Sequence, residues 1–121
     1  MFHYVSMSDD FAHWLSGLKD QALYACVLAY LCNMKNGDFG EINDVGDDVY
    51  ETSLPSYPNL RFYFSKERRV ITILLVSDES NSQPEAVAQA KQIDKIYNDA
   101  AITRTKALCA KYGLEAPSNL D

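Results

Sequence analysis

The segment 70–76 constrains the fold more than any other part of this sequence. It reads VITILLV and contains only β-branched residues and leucine. A strand with one face in water alternates apolar and polar residues, whereas a strand that is covered on both faces reads as a continuous apolar run. The segment therefore predicts a central strand with apolar elements packed on both sides of its sheet.

Two helices are predicted ahead of this strand. Ser8 is placed as the N-cap of the first, and apolar residues then recur at helical spacing as far as Leu18. Asp20 is placed as the N-cap of the second, which ends at the Asn-Gly pair 36–37. The two together are predicted to form an αα-hairpin.

A third helix is predicted after the strand, because Pro84 stands where proline favours a first helical turn. Its apolar spacing continues to Gly113, as one helix of up to about 29 residues or as two helices that break near Thr103. The run 22–32 in the second helix leaves little polar face and is too short to span a membrane. We expect the C-terminal helix to cover it, with a homodimer through the same surface as the alternative.

Three or four strands are predicted between the helical pair and the last helix. Segments 49–54 and 60–64 are rich in strand-forming residues, and 40–42 is a further short candidate. Alternation along 60–64 places Arg61 and Tyr63 on one face of the sheet and the remaining residues on the other. With 121 residues the chain is predicted to be a single α+β domain, 1–121.

The charge balance excludes a protein that simply coats nucleic acid or an anionic membrane. Eleven basic residues face seventeen acidic ones, for a net charge of −6. Residues 1–60 hold nine acids and two lysines, a local balance of −7. The densest basic cluster lies just beyond them and is where a polyanion would first bind: Arg61, Lys66, Arg68 and Arg69.

The three cysteines predict free thiols in a reduced, cytoplasmic setting, since the chain begins without a signal-peptide pattern. Cys26 and Cys32 are six residues apart, which is not a common zinc-ligand spacing. We expect no metal and no cofactor.

Four segments in chain order resemble those of the RelE/ParE toxin superfamily, and within it the phage-derived, HigB-like addiction-module killer proteins. They are 11–20 (FAHWLSGLKD), 36–40 (NGDFG), 48–51 (DVYE) and 58–64 (PNLRFYF). The resemblance covers about residues 8–97, so 98–121 is interpreted as a C-terminal helical extension. It implies an N-terminal helical hairpin packed on a small, mostly antiparallel sheet of three to four strands, followed by the long C-terminal helix.

The resemblance also implies a function. Such proteins are toxins of type II toxin–antitoxin modules and are neutralised by a helix-turn-helix antitoxin. Relatives cleave mRNA on the ribosome, while other superfamily members inhibit DNA gyrase. The family strand with the pattern P-G-Y-R-V-Y-F retains its basic residue here as Arg61 and its aromatic residue as Tyr63. Two other basic positions of the family are replaced, by Ser53 and by Glu79.

The candidate catalytic residues for metal-independent RNA cleavage are Arg61, Glu51 and Tyr63. Arg61 would stabilise charge on the phosphorane, Glu51 would act as the base, and Tyr63 would stack on a nucleobase or donate a proton. Lys66, Arg68 and Arg69 are the candidate RNA-binding residues. The plainer interpretation is a cross-strand ion pair between Arg61 and Glu51 on an exposed sheet face, with Tyr63 in ordinary sheet packing.

A second function therefore stands beside the nuclease. In it, the chain is a catalytically eroded member of the same fold that binds a protein target, such as gyrase or an antitoxin-like partner. The replacements at Ser53 and Glu79 favour this alternative. The acidic stretch 38–51 favours it too, because six acids and no base would repel RNA phosphates from a nearby groove.

Overall fold

The computed structural model of the protein describes residues 3–113, apart from the side chain of Thr105. These residues form an α+β fold with a sheet and a long C-terminal helix. The elements in chain order are β1 (Tyr4–Met7), α1 (Asp9–Ser16), α2 (Gln21–Lys35), β2 (Asn43–Gly46), β3 (Val49–Leu54), β4 (Tyr57–Glu67), β5 (Val70–Ser77) and α3 (Gln83–Lys111).

The sheet has five strands in the order β1-β5-β4-β3-β2. β1 runs parallel to β5, and the other neighbours are antiparallel, so the sheet is mixed. The predicted N-terminal helical hairpin and the predicted count of three to four strands are both wrong, because β1 precedes the helices and adds an edge strand. Its four residues (YVSM) carry little strand pattern, and they pair with residues 66 positions away, Tyr4 with Val70.

The predicted N-caps of the helical pair are confirmed. The Ser8 side chain accepts a hydrogen bond from the Phe11 amide at 3.1 Å. The Asp20 carboxylate accepts from the amides of Ala22 and Leu23 at 3.0 and 3.1 Å. Each cap satisfies N–H groups that have no partner within the first helical turn.

β5 is confirmed as a central strand covered on both faces. It lies between β1 and β4. Ile71 and Ile73 belong to the larger apolar core, which the sheet shares with α1 and α2. Leu74 belongs to a smaller core on the opposite face, where Ala86 and Ala90 of α3 pack. The pairing with β4 shifts by one residue beside Leu74, which marks an irregularity in the ladder.

α3 therefore packs on the sheet face opposite to α2, and our expectation that the C-terminal helix covers α2 is wrong. The physical reason lies in the alternation of β4. Phe62 and Phe64 enter the core beneath α1 and α2, whereas Tyr63 points to α3. A sheet that is apolar on both faces needs a layer on each side, and α3 supplies the second layer.

α3 is one continuous helix of 29 residues, without the break considered near Thr103. Ser82 is its N-cap and accepts from the Glu85 amide at 3.3 Å. Residues 95–111 contain no buried side chain among those described, so this part of α3 extends beyond the sheet. The predicted extension 98–121 is thus helical over 98–111, and 114–121 lies outside the described residues. No helix among residues 3–113 is long and apolar enough to cross a bilayer.

Candidate functional site

The candidate site is centred on the pairing of β3 with β4. The register places Glu51 directly opposite Tyr63, not opposite Arg61. The Tyr63 hydroxyl donates a hydrogen bond of 2.6 Å to Glu51 Oε2. Tyr63 is 0% exposed and Glu51 is 7% exposed, so this contact is buried between the sheet and the start of α3.

Gln83, the first residue of α3, completes the environment of Glu51. Its Nε2 lies 3.1 Å from Glu51 Oε1 and 3.0 Å from Oε2, so the amide donates to the carboxylate. Sequence reasoning missed this residue. The predicted helix start at Pro84 placed Gln83 at the N-terminus of the last helix. No local pattern predicted its contact with Glu51, which lies on a strand 32 residues earlier.

Tyr63 is held as a neutral phenol. Burial raises the pKa of its hydroxyl above the usual value of 10, and the hydrogen bond to Glu51 and the charge of that carboxylate raise it further. The nearby Arg61 guanidinium lowers the pKa by a smaller amount. The ring offers no exposed surface to a nucleobase, and its hydroxyl proton is engaged with Glu51. Its burial and its hydrogen bond to Glu51 both favour a structural role for Tyr63 over a catalytic one.

Arg61 binds the loop between β5 and α3. Its Nη2 donates to the carbonyl of Asp78 at 3.2 Å and to the carbonyl of Asn81 at 2.7 Å. Asp78 in turn accepts hydrogen bonds from the amide and the hydroxyl of Ser80. These bonds are the main reason that the pKa of the Asp78 carboxyl is lowered, with a smaller contribution from the charge of Arg61. Arg61 therefore helps to order the loop that delivers Gln83 to Glu51.

A surface cleft of about 670 Å³ adjoins this cluster. It opens beside the first residue of β2, because the pairing of β2 with β3 stops where Asn43 lies opposite Glu51. Both Glu51 and Arg61 reach the cleft wall, as does Ser53. Asp38 and Glu41 line it as well, so three carboxylates face one guanidinium. That balance makes the cleft unfavourable for a polyanion.

The candidate RNA-binding residues lie at the other end of β4. Lys66 Nζ lies 4.9 Å from the centre of the Phe39 ring, and Arg68 and Arg69 stand exposed at the turn into β5. Arg68 has a backbone φ of 56°, in the left-handed region used by tight turns. Arg68 lies seven positions after Arg61 in the chain, which is about 23 Å along an extended strand. The structure does not bring the two basic groups together.

The side chains that could ligate a metal ion are dispersed over the described residues. Within 3–113, no group of three or more His, Cys, Asp or Glu side chains is arranged to hold a metal ion. Cys26, Cys32 and Cys109 are free thiols.

Comparison with known proteins identifies a relative of this chain. No family model matches the chain, and no solved structure matches it. An uncharacterized protein of Haemophilus influenzae is 31% identical over 81 residues, which are 67% of this chain and 82% of that protein. Identity at this level across most of the relative's length indicates common descent. The chain belongs to the same family as this Haemophilus influenzae protein.

Proposed function

We propose that this protein is a RelE/ParE-like component of a type II toxin–antitoxin module, and that it acts by binding a protein partner without cleaving RNA. The ordered resemblance of the segments between 11 and 64 to that superfamily supports the assignment to a toxin–antitoxin module. The order of the elements after β1 also supports it, since a helical pair is followed by antiparallel strands and a final helix. The expected partners are a helix-turn-helix antitoxin and a cytoplasmic protein target such as gyrase.

The proposal that the protein does not cleave RNA rests on the hydrogen bonds that already engage Glu51. A general base needs a free oxygen within reach of the proton that it removes. The Glu51 carboxylate already accepts hydrogen bonds from Tyr63 and Gln83 and is almost wholly buried. The Nη2 of Arg61 is likewise bound to two backbone carbonyls. Both groups serve the internal structure in this arrangement.

A nuclease is the second candidate function, because Glu51 and Arg61 both line the same cleft. A substrate that displaced Gln83 and the loop carbonyls would meet a carboxylate and a guanidinium in one cleft. The ribosome and mRNA would then be the partners. The excess of carboxylates in the cleft weighs against this candidate, since phosphate binding there starts from a repulsive field.

Induced expression in bacteria distinguishes the two candidates. Growth and mRNA integrity are followed for the wild type, for Arg61→Ala and for Lys19→Ala, which removes an exposed charge between α1 and α2. Our proposal expects growth arrest with intact mRNA in the wild type and in Lys19→Ala. Cleavage of mRNA by the wild type, lost in Arg61→Ala but kept in Lys19→Ala, would establish the nuclease instead.

The purified chain provides the second measurement. Binding of a helix-turn-helix protein encoded beside the gene, measured by calorimetry, is expected whether or not growth stops. An absence of growth arrest together with an absence of such binding would reject the toxin–antitoxin assignment. Circular dichroism of Arg61→Ala is needed alongside, because this variant also releases the loop between β5 and α3.

A further inference from the structure

The cleft beside Glu51 lies along a part of β3 that has no neighbouring strand on its outer side. β2 pairs with β3 only as far as Asn43 opposite Glu51, whereas β3 continues to Leu54. Because β2 is an edge strand of the sheet, no strand among the described residues covers 52–54 on that side. The cleft opens there, and its volume of about 670 Å³ lies within the range of about 300–1,000 Å³ that is usual for ligand sites.

Two hydrogen bonds hold one wall of the cleft, the segment 38–41, in place. The Tyr30 hydroxyl of α2 donates to the Phe39 carbonyl at 2.5 Å. The Thr52 hydroxyl of β3 donates to the Glu41 carbonyl at 2.8 Å. The wall is thus tied to α2 at one point and to β3 at another, so the cleft is already formed in the free chain. A preformed site spares a ligand the free energy of ordering it.

The two exposed acids of this wall are not neutralised within the described part of the chain. Asp38 and Glu41 form no ion pair there, and the Glu41 carboxylate accepts no hydrogen bond. Arg61 is the one basic residue in the described lining, and its Nη2 is bound to the carbonyls of Asp78 and Asn81. With three carboxylates and one guanidinium, the lining carries two negative charges in excess. The cleft therefore favours a cationic ligand.

The rest of the lining suits a ligand that has both polar and apolar parts. Asn33 and Ser53 place an amide and a hydroxyl on the walls, whereas Tyr30 and Pro55 add apolar surface. Lysine and arginine side chains have an apolar stem and a charged head, so they can use both kinds of surface. A polypeptide backbone adds N–H and C=O groups for the polar positions.

We propose that this cleft binds an extended, basic segment of the protein partner, with lysine or arginine side chains lying beside Asp38 and Glu41. In an extended segment alternate side chains point the same way and lie about 7 Å apart, so one segment presents several cations to the same wall. The choice of a protein as the source of these cations rests on the proposed function.

Calorimetric titration of the full chain with a synthetic peptide tests this proposal. The probe is a decapeptide of alternating lysine and threonine with both ends blocked, and its control has glutamate in place of lysine. We expect the basic peptide to bind with a dissociation constant of about 100 µM or below at about 50 mM salt, and several-fold more weakly at about 200 mM. The acidic peptide should not bind. An absence of binding by the basic peptide at low salt overturns the proposal.

A pair of double variants locates the bound peptide. Asp38→Asn with Glu41→Gln removes the two free charges and is expected to weaken binding by about tenfold or more. Asp44→Asn with Glu67→Gln changes the net charge equally at exposed positions outside the cleft. This control is also matched in structure, since Asp38 and Asp44 each accept a hydrogen bond from the glycine amide two residues later. Equal weakening in both would show a general effect of net charge and overturn the proposal.

Ser53→Lys tests the cleft independently from the side of β3. The added ammonium stands on the cleft wall as a tethered cation that competes with the peptide, so binding should weaken by about tenfold. Ser56→Lys adds the same charge at an exposed position outside the cleft and should bind within about twofold of the wild type. Melting curves check that the variants fold. Unchanged binding by Ser53→Lys would place the peptide elsewhere and overturn the proposal.

Two other occupants are distinguished in the same experiments. Spermine carries several cations without a polypeptide backbone, and tighter binding of spermine than of the peptide would overturn the assignment to a protein segment. The basic turn at Arg68 and Arg69 of a second copy is the other candidate. Self-association at low salt that disappears in the double variant of Asp38 and Glu41 would make that turn the occupant and overturn the external partner.

The titration needs no growth assay, so its failure is distinguishable from failure of the proposed function. Binding of a helix-turn-helix partner without binding of the basic peptide would reject the cleft as the docking site and leave the proposed function intact. Binding of the peptide in the cleft, with neither growth arrest nor a helix-turn-helix partner, would support the basic-segment site and reject the toxin–antitoxin assignment alone.

Discussion

The Tyr63 hydroxyl and the Glu51 carboxylate are joined by a 2.6 Å hydrogen bond across β3 and β4. Gln83 of α3 donates to the same carboxylate, so one buried acid joins two strands and a helix. In low-dielectric surroundings such hydrogen bonds are strong, and a carboxylate that loses them is costly. This cluster sets where α3 begins to cover the sheet.

The first prediction concerns the stability of this cluster. Tyr63→Phe removes the hydroxyl and leaves Glu51 with one donor fewer in a buried position. We expect the free energy of unfolding to fall by about 1–3 kcal/mol. Urea denaturation of the wild type and the variant measures the difference. Tyr50→Phe is the control, because the Tyr50 ring stacks on Phe64 and keeps that contact as phenylalanine. An equal loss in both variants would contradict a special role for the Tyr63 hydroxyl.

The second prediction concerns alkaline pH. Because the pKa of Tyr63 is raised in the folded state, the unfolded chain loses this proton first as the pH rises through about 10. Between the two pKa values the folded state binds more protons, so stability falls with rising pH, by up to about 1.4 kcal/mol per pH unit. Urea denaturation between pH 8 and 11 should show a steeper loss in the wild type than in Tyr63→Phe. Parallel profiles for the two proteins would refute the shift.

The fold was predictable wherever the determinants are local. The caps at Ser8 and Asp20 depend on residues within the next turn, and the continuous apolar run 70–76 is enough to predict a buried strand. β1 was not predictable, because Tyr4–Met7 is short and its parallel partner lies 66 residues away. The sequence analysis also predicted the wrong side of the sheet for α3, because that side depends on contacts between distant parts of the chain. Helical periodicity identifies an apolar stripe but not the surface that it meets.

The candidate site, too, was predictable only where it depends on local sequence pattern. Alternation along β4 predicted that Arg61 and Tyr63 share a face, and Tyr63 does point toward α3. The residue opposite Glu51 depends instead on strand register, which an irregularity between Thr52 and Leu54 disturbs. The predicted cross-strand pair was therefore Arg61 with Glu51, whereas the register pairs Glu51 with Tyr63. Gln83 depends on tertiary packing alone.

The third prediction concerns Asp94, which lies on α3 near the end of the sheet. Partial burial raises the pKa of its carboxyl, and the charges of Glu67, Asp48 and Asp47 raise it further, while a hydrogen bond with Ser65 lowers it. The unfolded chain ionises first as the pH rises above about 4, so the ionised Asp94 lowers stability at neutral pH.

Asp94→Asn should therefore stabilise the protein at pH 7. The gain is expected to be below about 1 kcal/mol, since the side chain is only partly buried and solvent screens its neighbours. It should shrink as the pH falls to 4, where the wild-type carboxyl is increasingly protonated. Denaturation at both pH values measures this. Asp99→Asn on the exposed part of α3 beyond the sheet is the matched control, and an equal gain there would mean that general charge reduction is the cause.

The last prediction concerns Ser8, which connects α1 to the central strand. Its Oγ accepts from the Phe11 amide at 3.1 Å and donates to the Leu74 carbonyl at 2.6 Å, at a buried position. Ser8→Ala removes both bonds and leaves a helix N–H and a strand carbonyl without this partner. We expect a loss of about 1–2 kcal/mol in the free energy of unfolding, measured by urea denaturation.

Ser16→Ala provides the comparison at the other end of α1. There the hydroxyl donates to the His13 carbonyl at 3.0 Å in an exposed position. In the variant, water can donate to this carbonyl in place of the hydroxyl. The cost should stay within about 0.5 kcal/mol. If the free energy of unfolding falls equally in the two serine variants, the Ser8 hydroxyl stabilises the fold no more than an exposed hydroxyl does. A larger loss at Ser8 alone would mean that α1 is held in place by its bond to β5 as well as by its apolar face.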